Sequence, residues 1–209
     1  MKAPAFWSHG QTSFYTKLLT PLACLYNKIT TSRANKPADF KADIPVICIG
    51  NLTMGGAGKT PTAIAVCTIL RTLGKNPAFL SRGYGGTVTG PVFVTPAHKA
   101  EEVGDEPLLL RQYAPVCVSK NRIDGAKALV AHGADIIIMD DGFQNPHLHK
   151  DLSIIVIDGG FGHGNERVFP AGPLRESLQN GLARTDLAVL VGADATQTTE
   201  RLHQIKPDL

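Results

Sequence analysis

Eight residues constrain this chain more than any others: Thr53, Met54, Gly55, Gly56, Ala57, Gly58, Lys59 and Thr60. They follow a short apolar, β-branched run, Val46–Ile49, and they open a helical stretch that extends from Thr60 to about Leu73. A glycine-rich turn between a strand and a helix is the setting of a phosphate-binding loop. Gly55, Gly56 and Gly58 let the backbone bend sharply and aim its N–H groups inward as an anion nest. The helix beginning beyond them adds the positive end of its dipole. Lys59 brings a full charge to the β- and γ-phosphates of a nucleotide, and the Thr60 hydroxyl is suited to ligate Mg²⁺. The pattern departs from its usual form only at its first position, where Thr53 replaces glycine.

The rest of the chain after Pro45 alternates between strands and helices. Ala78–Leu80, Val92–Thr95, Val116–Val118, Ile136–Met139, Ile154–Ile157 and Leu187–Val191 read as strands, and Pro107–Tyr113 and Arg122–His132 as helices. Near-continuous apolar strands separated by helices imply an α/β fold, with a mostly parallel sheet covered by helices on both faces. Composition agrees. With 43% hydrophobic and 19% charged residues, the 209-residue chain is globular, which excludes disorder, collagen and coiled coil. A net charge of +3 gives no case for a nucleic-acid partner.

That charge is unevenly placed. Residues 1–42 hold Lys2, Lys17, Lys28, Arg33, Lys36 and Lys41 against Asp39 alone, a net of +5, which leaves −2 for the remainder. In the same segment Phe14, Leu18, Leu22, Leu25 and Ile29 recur at steps of three or four, along one helical face. Phe6, Trp7, Tyr15 and Tyr26 add aromatic bulk, and Pro21 is expected to bend or break the helix. Two readings stand side by side. The helix packs on the protein's own core, or it lies in a membrane interface with its lysines near anionic lipid. No stretch reaches the roughly 20 apolar residues of a membrane span, and no secretory signal pattern is present. Cys24, Cys48, Cys67 and Cys117 show no metal-binding spacing and read as small buried hydrophobes in a reducing compartment.

A second anchor for a nucleotide-bound metal is expected where Ile136-Ile-Ile-Met ends in Asp140-Asp141. Adjacent residues of an extended chain point to opposite sides, so only one carboxylate can face the metal directly. Asp140 is assigned that position, with Asp141 assisting. The loop also resembles that of partition and maturation ATPases, but their signature lysine is here Met54. Asn-Lys-x-Asp base-recognition motifs of GTPases are missing from the strand ends.

Five blocks occur in order: Gly50–Pro61, Ser81-Arg-Gly-Tyr-Gly-Gly86, Gly104-Asp-Glu-Pro-Leu108, Asp140-Asp-Gly-Phe-Gln144 and Pro170-Ala-Gly-Pro-Leu-Arg-Glu176. Together, from about Phe14 to about Val191, they resemble the tetraacyldisaccharide 4′-kinase (lipid A 4′-kinase) family. The resemblance implies transfer of the ATP γ-phosphate, with Mg²⁺, to the 4′-hydroxyl of an acylated glucosamine disaccharide 1-phosphate. It also implies peripheral residence on the cytoplasmic face of the bacterial inner membrane, which favours the docking reading of the N-terminal segment. Residues 1–42 are then a membrane-docking segment and 43–209 the P-loop kinase domain. No obligate protein partner is evident, and the runner-up is an ATPase of partition or maturation type that switches a protein partner.

By resemblance, Asp105 is the base that accepts the sugar proton, although a helix N-cap is the ordinary use of such an aspartate. Lys59, Arg175 and Glu176 join it in the catalytic set, with a plain Arg175–Glu176 surface pair as the alternative. Arg82, on its Gly-Tyr-Gly-Gly loop, Arg122 and Gln144 are assigned to the substrate, arginine being suited to phosphate by its forked donors. A solvated helix start is the alternative for Arg122. Asn145 stands where the family often has histidine. His147 and His149 read as exposed loop residues, and His163 as a residue of a flexible loop without a task. Family members continue into a C-terminal αβ portion whose histidine partners the catalytic aspartate. This sequence has none, so it is expected either to be a fragment or a short form that binds ATP·Mg²⁺ and turns over poorly; His203 is not assigned the missing part.

Overall fold

The computed structural model describes residues 4–8, 10 and 13–209; Lys2 of the basic N-terminal segment lies outside them. After a 3₁₀ turn at Ala5–Trp7 come α1 (Phe14–Ala34), β1 (Val46–Gly50), α2 (Lys59–Thr72), β2 (Pro77–Ser81) and β3 (Val92–Phe93). Then follow α3 (Ala100–Val103), α4 (Asp105–Leu110), β4 (Val116–Val118), α5 (Arg122–Ala131) and β5 (Ile136–Asp140). The chain ends with β6 (Leu152–Asp158), α6 (Leu178–Ala183), β7 (Leu187–Val191) and α7 (Thr198–Ile205). Two compact units share these elements: Pro37–Gly50 with Lys59–Ser153, and Met1–Lys36 with Asn51–Gly58 and Ile154–Leu209.

The first of these units is built on strands in the order β3-β4-β2-β5-β1. All neighbours run parallel except β3, which pairs antiparallel with β4. Every residue of β5 and of β2 is buried. Because successive side chains point to opposite faces, both faces of this sheet are covered, as the continuous apolar runs predict. β3 is two residues shorter than the sequence suggests, since Thr95 turns back to bond His98 ahead of α3. The register sets Ile49 beside Asp140, so the strand entering the phosphate loop and the strand carrying the aspartates end together.

In the other unit β6 and β7 pair in parallel, and α1 is its longest helix. A capping box between Ser13 and Thr16 starts α1. The helix runs unbroken through Pro21, against the expected break. Pro21 and Lys17 both lie on the exposed side, so the carbonyl that proline leaves without an N–H faces solvent. None of the described helices is long and apolar enough to cross a membrane. Three cysteines are buried as expected, and Cys24 on α1 is exposed instead.

Candidate active site

In the sheet unit, Lys59 and Thr60 are the first two residues of α2. The Lys59 ammonium lies 3.9 Å from Asp141 Oδ1. Asp140, the last residue of β5, is 5% exposed, and its Oδ1 has no hydrogen-bond partner. Burial, reinforced by Asp141 and opposed by Lys59, pushes the Asp140 carboxyl up to about 6. Asp141 departs from strand geometry with φ of 49°, which re-aims its side chain beyond simple alternation. Gly142 follows because a Cβ there would meet Met139 Sδ at 1.8 Å. A buried carboxylate with an unsatisfied oxygen is costly unless a cation or donor completes it. The Asp140 carboxylate and the Thr60 hydroxyl are oxygen donors of the kind magnesium takes, together with water and phosphate oxygens. Among the described residues no group of three or more His, Cys, Asp or Glu could hold a metal by itself.

Around this carboxylate the same unit gathers positive charge. Arg122 opens α5 behind the N-cap Asn121, yet it is buried, at 4% exposure, rather than solvated. Its Nη1 donates to the Ser119 carbonyl at 2.5 Å, while its Nε has no partner. Burial and the neighbouring Arg82 pull its pKa down to about 10, which leaves it charged at neutral pH. Arg82 itself is exposed, at the start of a loop that turns through Gly83 at φ of 70°. Thr87 and Val88 of that loop donate backbone N–H groups to Glu101 and Glu102, and Gly104 fits tightly under Tyr84. The loop is thereby fastened to the α3–α4 junction. Asp105 stands exposed there as the first residue of α4; its N-cap is Gly104, so the capping role does not fall to Asp105. Gln144 is half-buried in the turn after Asp141, and Lys150 braces that turn by donating to the carbonyls of Phe143 and Asn145. His147 and His149 are solvent-accessible, paired with Asp39 and Asp151.

The glycine turn that precedes Lys59 in the chain belongs to the other unit. Gly55 and Gly58 have φ of 119° and 84°, the left-handed region the turn needs. Thr53 is tolerated in place of glycine because it is extended, forming an antiparallel bridge with Leu174. Met54 N–H donates to the Pro173 carbonyl and Arg175 N–H to the Leu52 carbonyl, both at 2.7 Å. Arg175 Nε also donates to the Thr53 carbonyl at 3.2 Å. The Pro173–Arg175 segment is therefore a strap along the loop. Glu176 is 1% exposed and paired with Arg184. Arg184 escaped the sequence reading, since nothing local marks it. Asn51 did too: it is fully buried and its Nδ2 donates to the Gly55 carbonyl at 3.1 Å, holding the loop from inside. His163, expected in a flexible loop, is 5% exposed, and burial pushes its pKa down to about 4.

Residues 15–208 match the family model for tetraacyldisaccharide-1-P 4′-kinase, LpxK. The chain is 53% identical over 193 residues to the tetraacyldisaccharide 4′-kinase of Bradyrhizobium sp. ORS 278, covering 92% of this chain and 57% of that protein. It is 49% identical over 210 residues to the one from Gluconacetobacter diazotrophicus, covering 100% and 64%. The chain thus spans about three fifths of the length of the curated relatives it matches. Its fold is similar to that of the crystal structure of LpxK from Aquifex aeolicus in complex with ATP, with a TM-score of 0.75 and 31% identity over 87% of this chain and 60% of that one. The phosphate loop, the buried aspartate at the end of β5 and the strap of Pro173–Arg175 are thus those of a chain that belongs to the tetraacyldisaccharide-1-P 4′-kinase family.

Proposed function

We propose that this chain binds ATP with Mg²⁺ and moves the γ-phosphate to the 4′-hydroxyl of an acylated glucosamine disaccharide 1-phosphate. The observation that carries the reading is Asp140: a buried carboxylate with an unsatisfied oxygen, level with the strand that enters a glycine loop ending in Lys59 and Thr60. Phosphoryl transfer asks a protein for positioning and charge neutralisation more than for covalent chemistry. Magnesium, when bound, neutralises charge on the β- and γ-phosphate oxygens. The loop amides of Thr53–Thr60 cradle the phosphates, and the Lys59 ammonium meets the β- and γ-groups. Asp140 and Thr60 hold the cation, with Asp141 assisting from the Lys59 side. Asp105 accepts the proton of the sugar hydroxyl as its oxygen bonds to phosphorus and the bond to the β-phosphate oxygen breaks, releasing ADP. Arg82 and Arg122 are assigned to the acceptor's phosphate, Gln144 to orienting the acceptor, and Arg175 with Glu176 to keeping the loop in place.

An acceptor bearing acyl chains must be met at a bilayer surface, and α1 is fitted for that. Its inner side carries Thr16 and Ala23, buried, whereas Phe14, Leu18, Leu22, Leu25 and Ile29 are 46–74% exposed. This inverted amphipathic helix, flanked by lysines, supports peripheral docking to the cytoplasmic face of the inner membrane. The test is a transfer assay with labelled ATP and the acylated disaccharide. The wild type should yield labelled bisphosphorylated lipid, and Asp105→Ala should lower the rate by about 10²–10⁴-fold while leaving ATP binding intact. ATP hydrolysis stimulated by a protein, with no labelled lipid, would overturn the assignment.

A further inference from the structure

The inner side of α1 is tied to the phosphate loop by a short run of contacts within one unit. Asn27 Oδ1 accepts the backbone N–H of Ser177, the N-cap of α6, at 3.0 Å. Asn180 Nδ2 donates to Thr31 Oγ1 at 2.7 Å, and the Thr31 hydroxyl donates in turn to Asn27 Oδ1 at 3.4 Å. Ser177 Oγ accepts from Asn180 N–H at 3.4 Å. These four residues close a ring in which each hydrogen-bonding group named has a partner, including one of the N–H groups a helix start leaves open.

The far side of that ring bears on the nucleotide loop. Only Glu176 separates Ser177 from the Pro173–Arg175 strap, whose backbone bonds to Leu52 and Met54 are both 2.7 Å long. α6 also touches the loop directly: a Cβ on Gly181 would come within 2.5 Å of Leu52 Cδ2, so the helix and the root of the loop are in close contact. A shift of α6 must therefore be felt at Leu52–Met54.

We propose that Asn27 is a positioning residue that couples the outward face of α1 to the phosphate loop, so that engagement of a lipid surface tightens binding of Mg²⁺·ATP. The inference rests on the nucleotide and docking roles proposed above and adds their linkage. It has a reciprocal consequence: whatever factor a lipid surface adds to nucleotide affinity, the nucleotide must add to lipid affinity.

The experiment titrates the 209-residue chain with Mg²⁺·ATP, with and without vesicles of phosphatidylethanolamine and phosphatidylglycerol, and follows thermal melting in parallel. Vesicles should tighten nucleotide binding by the wild type, and Mg²⁺·ATP should tighten vesicle binding by the same factor. Asn27→Ala should bind nucleotide about tenfold more weakly and lose the response to vesicles while still associating with them. Asn27→Asp, which keeps an acceptor oxygen in place, should restore both. Thr31→Val should act in the same direction to a smaller extent, and it carries the test if Asn27→Ala does not fold. A merely structural contact would lower the melting temperature and leave the vesicle response of the folded fraction intact, which overturns the coupling. So would a wild type that binds both nucleotide and vesicles without either affecting the other. A wild type that binds no nucleotide, or no vesicles, instead brings down the corresponding role proposed earlier, and the coupling with it.

Discussion

The end of β5 and the approach to α6 each bury a carboxylate, and the two are handled in opposite ways. Glu176, 1% exposed, meets the Arg184 guanidinium. Asp140, 5% exposed, keeps an oxygen without a hydrogen-bond partner, and burial drives its pKa up to about 6. Burial by itself therefore does not mark a catalytic acid. A carboxylate whose charge is answered inside the fold acts as a structural tie, and one whose charge is left open is suited to the cation-holding role proposed for Asp140. In its own unit each has a neighbour of interest: Glu176 directly follows the Pro173–Arg175 strap bonded to Leu52 and Met54, and Asp140 stands level with Ile49 of β1.

The largest effect that would break this contrast is on the paired acid. Arg184→Met should destabilise the chain by about 3–5 kcal/mol in denaturant unfolding, because it strands a buried charge. Adding Glu176→Gln should recover part of the loss. A cost below about 1 kcal/mol would show that the pair is not a tie.

The unanswered acid should respond with the opposite sign. Below the ordinary carboxyl value of 3.8 both folded and unfolded chains hold the Asp140 proton. Between 3.8 and about 6 the folded chain keeps a proton the unfolded chain has released, so stability declines as pH rises through that window and stays low above it. Asp140→Asn should therefore stabilise the apoprotein by about 1–3 kcal/mol at pH 7.5 and have no such effect at pH 3.5. The same substitution should weaken magnesium-dependent ATP binding. Equal melting shifts at both pH values would mean that the carboxylate is not held in a low-dielectric setting.

The smallest expected effect on the fold concerns α1, where the contrast is between apolar side chains covered and left open. Leu22 and Leu25 are 55% and 57% exposed, whereas Ile137, Ile138 and Met139 of β5 are fully buried. Leu22→Ser with Leu25→Ser should change unfolding stability by less than about 0.5 kcal/mol and reduce association with anionic vesicles about tenfold or more. Loss of stability with unchanged vesicle flotation would reverse the assignment of that face.

Much of the site can be read along the chain because its parts are local. A strand, a glycine turn, a lysine and a helix occupy consecutive residues from Val46 to Thr60, and their spacing already implies the anion nest. The carboxylates at the end of β5 are legible for the same reason. What could not be read are side chains whose partners come from afar. Arg184 looks like an ordinary surface arginine until the fold sets it on Glu176. Arg122 has the place of a solvated helix start and is instead enclosed. His163 sits among glycines, a pattern that suggests mobility, yet it is packed away. Pro21 should interrupt α1, but it faces outward, where water can serve the freed carbonyl.

The phosphate loop was determined by sequence alone, because its conformation follows from φ angles that only Gly55 and Gly58 adopt readily and from a lysine at a set distance along the chain. The tertiary structure decided which side of α1 is covered. Hydrophobic periodicity tells which residues share a helical face, not which face the rest of the protein occupies. Here the protein takes the side of Thr16, Ala23, Asn27 and Thr31, whose small or hydrogen-bonding side chains find partners there, and leaves the leucines outward.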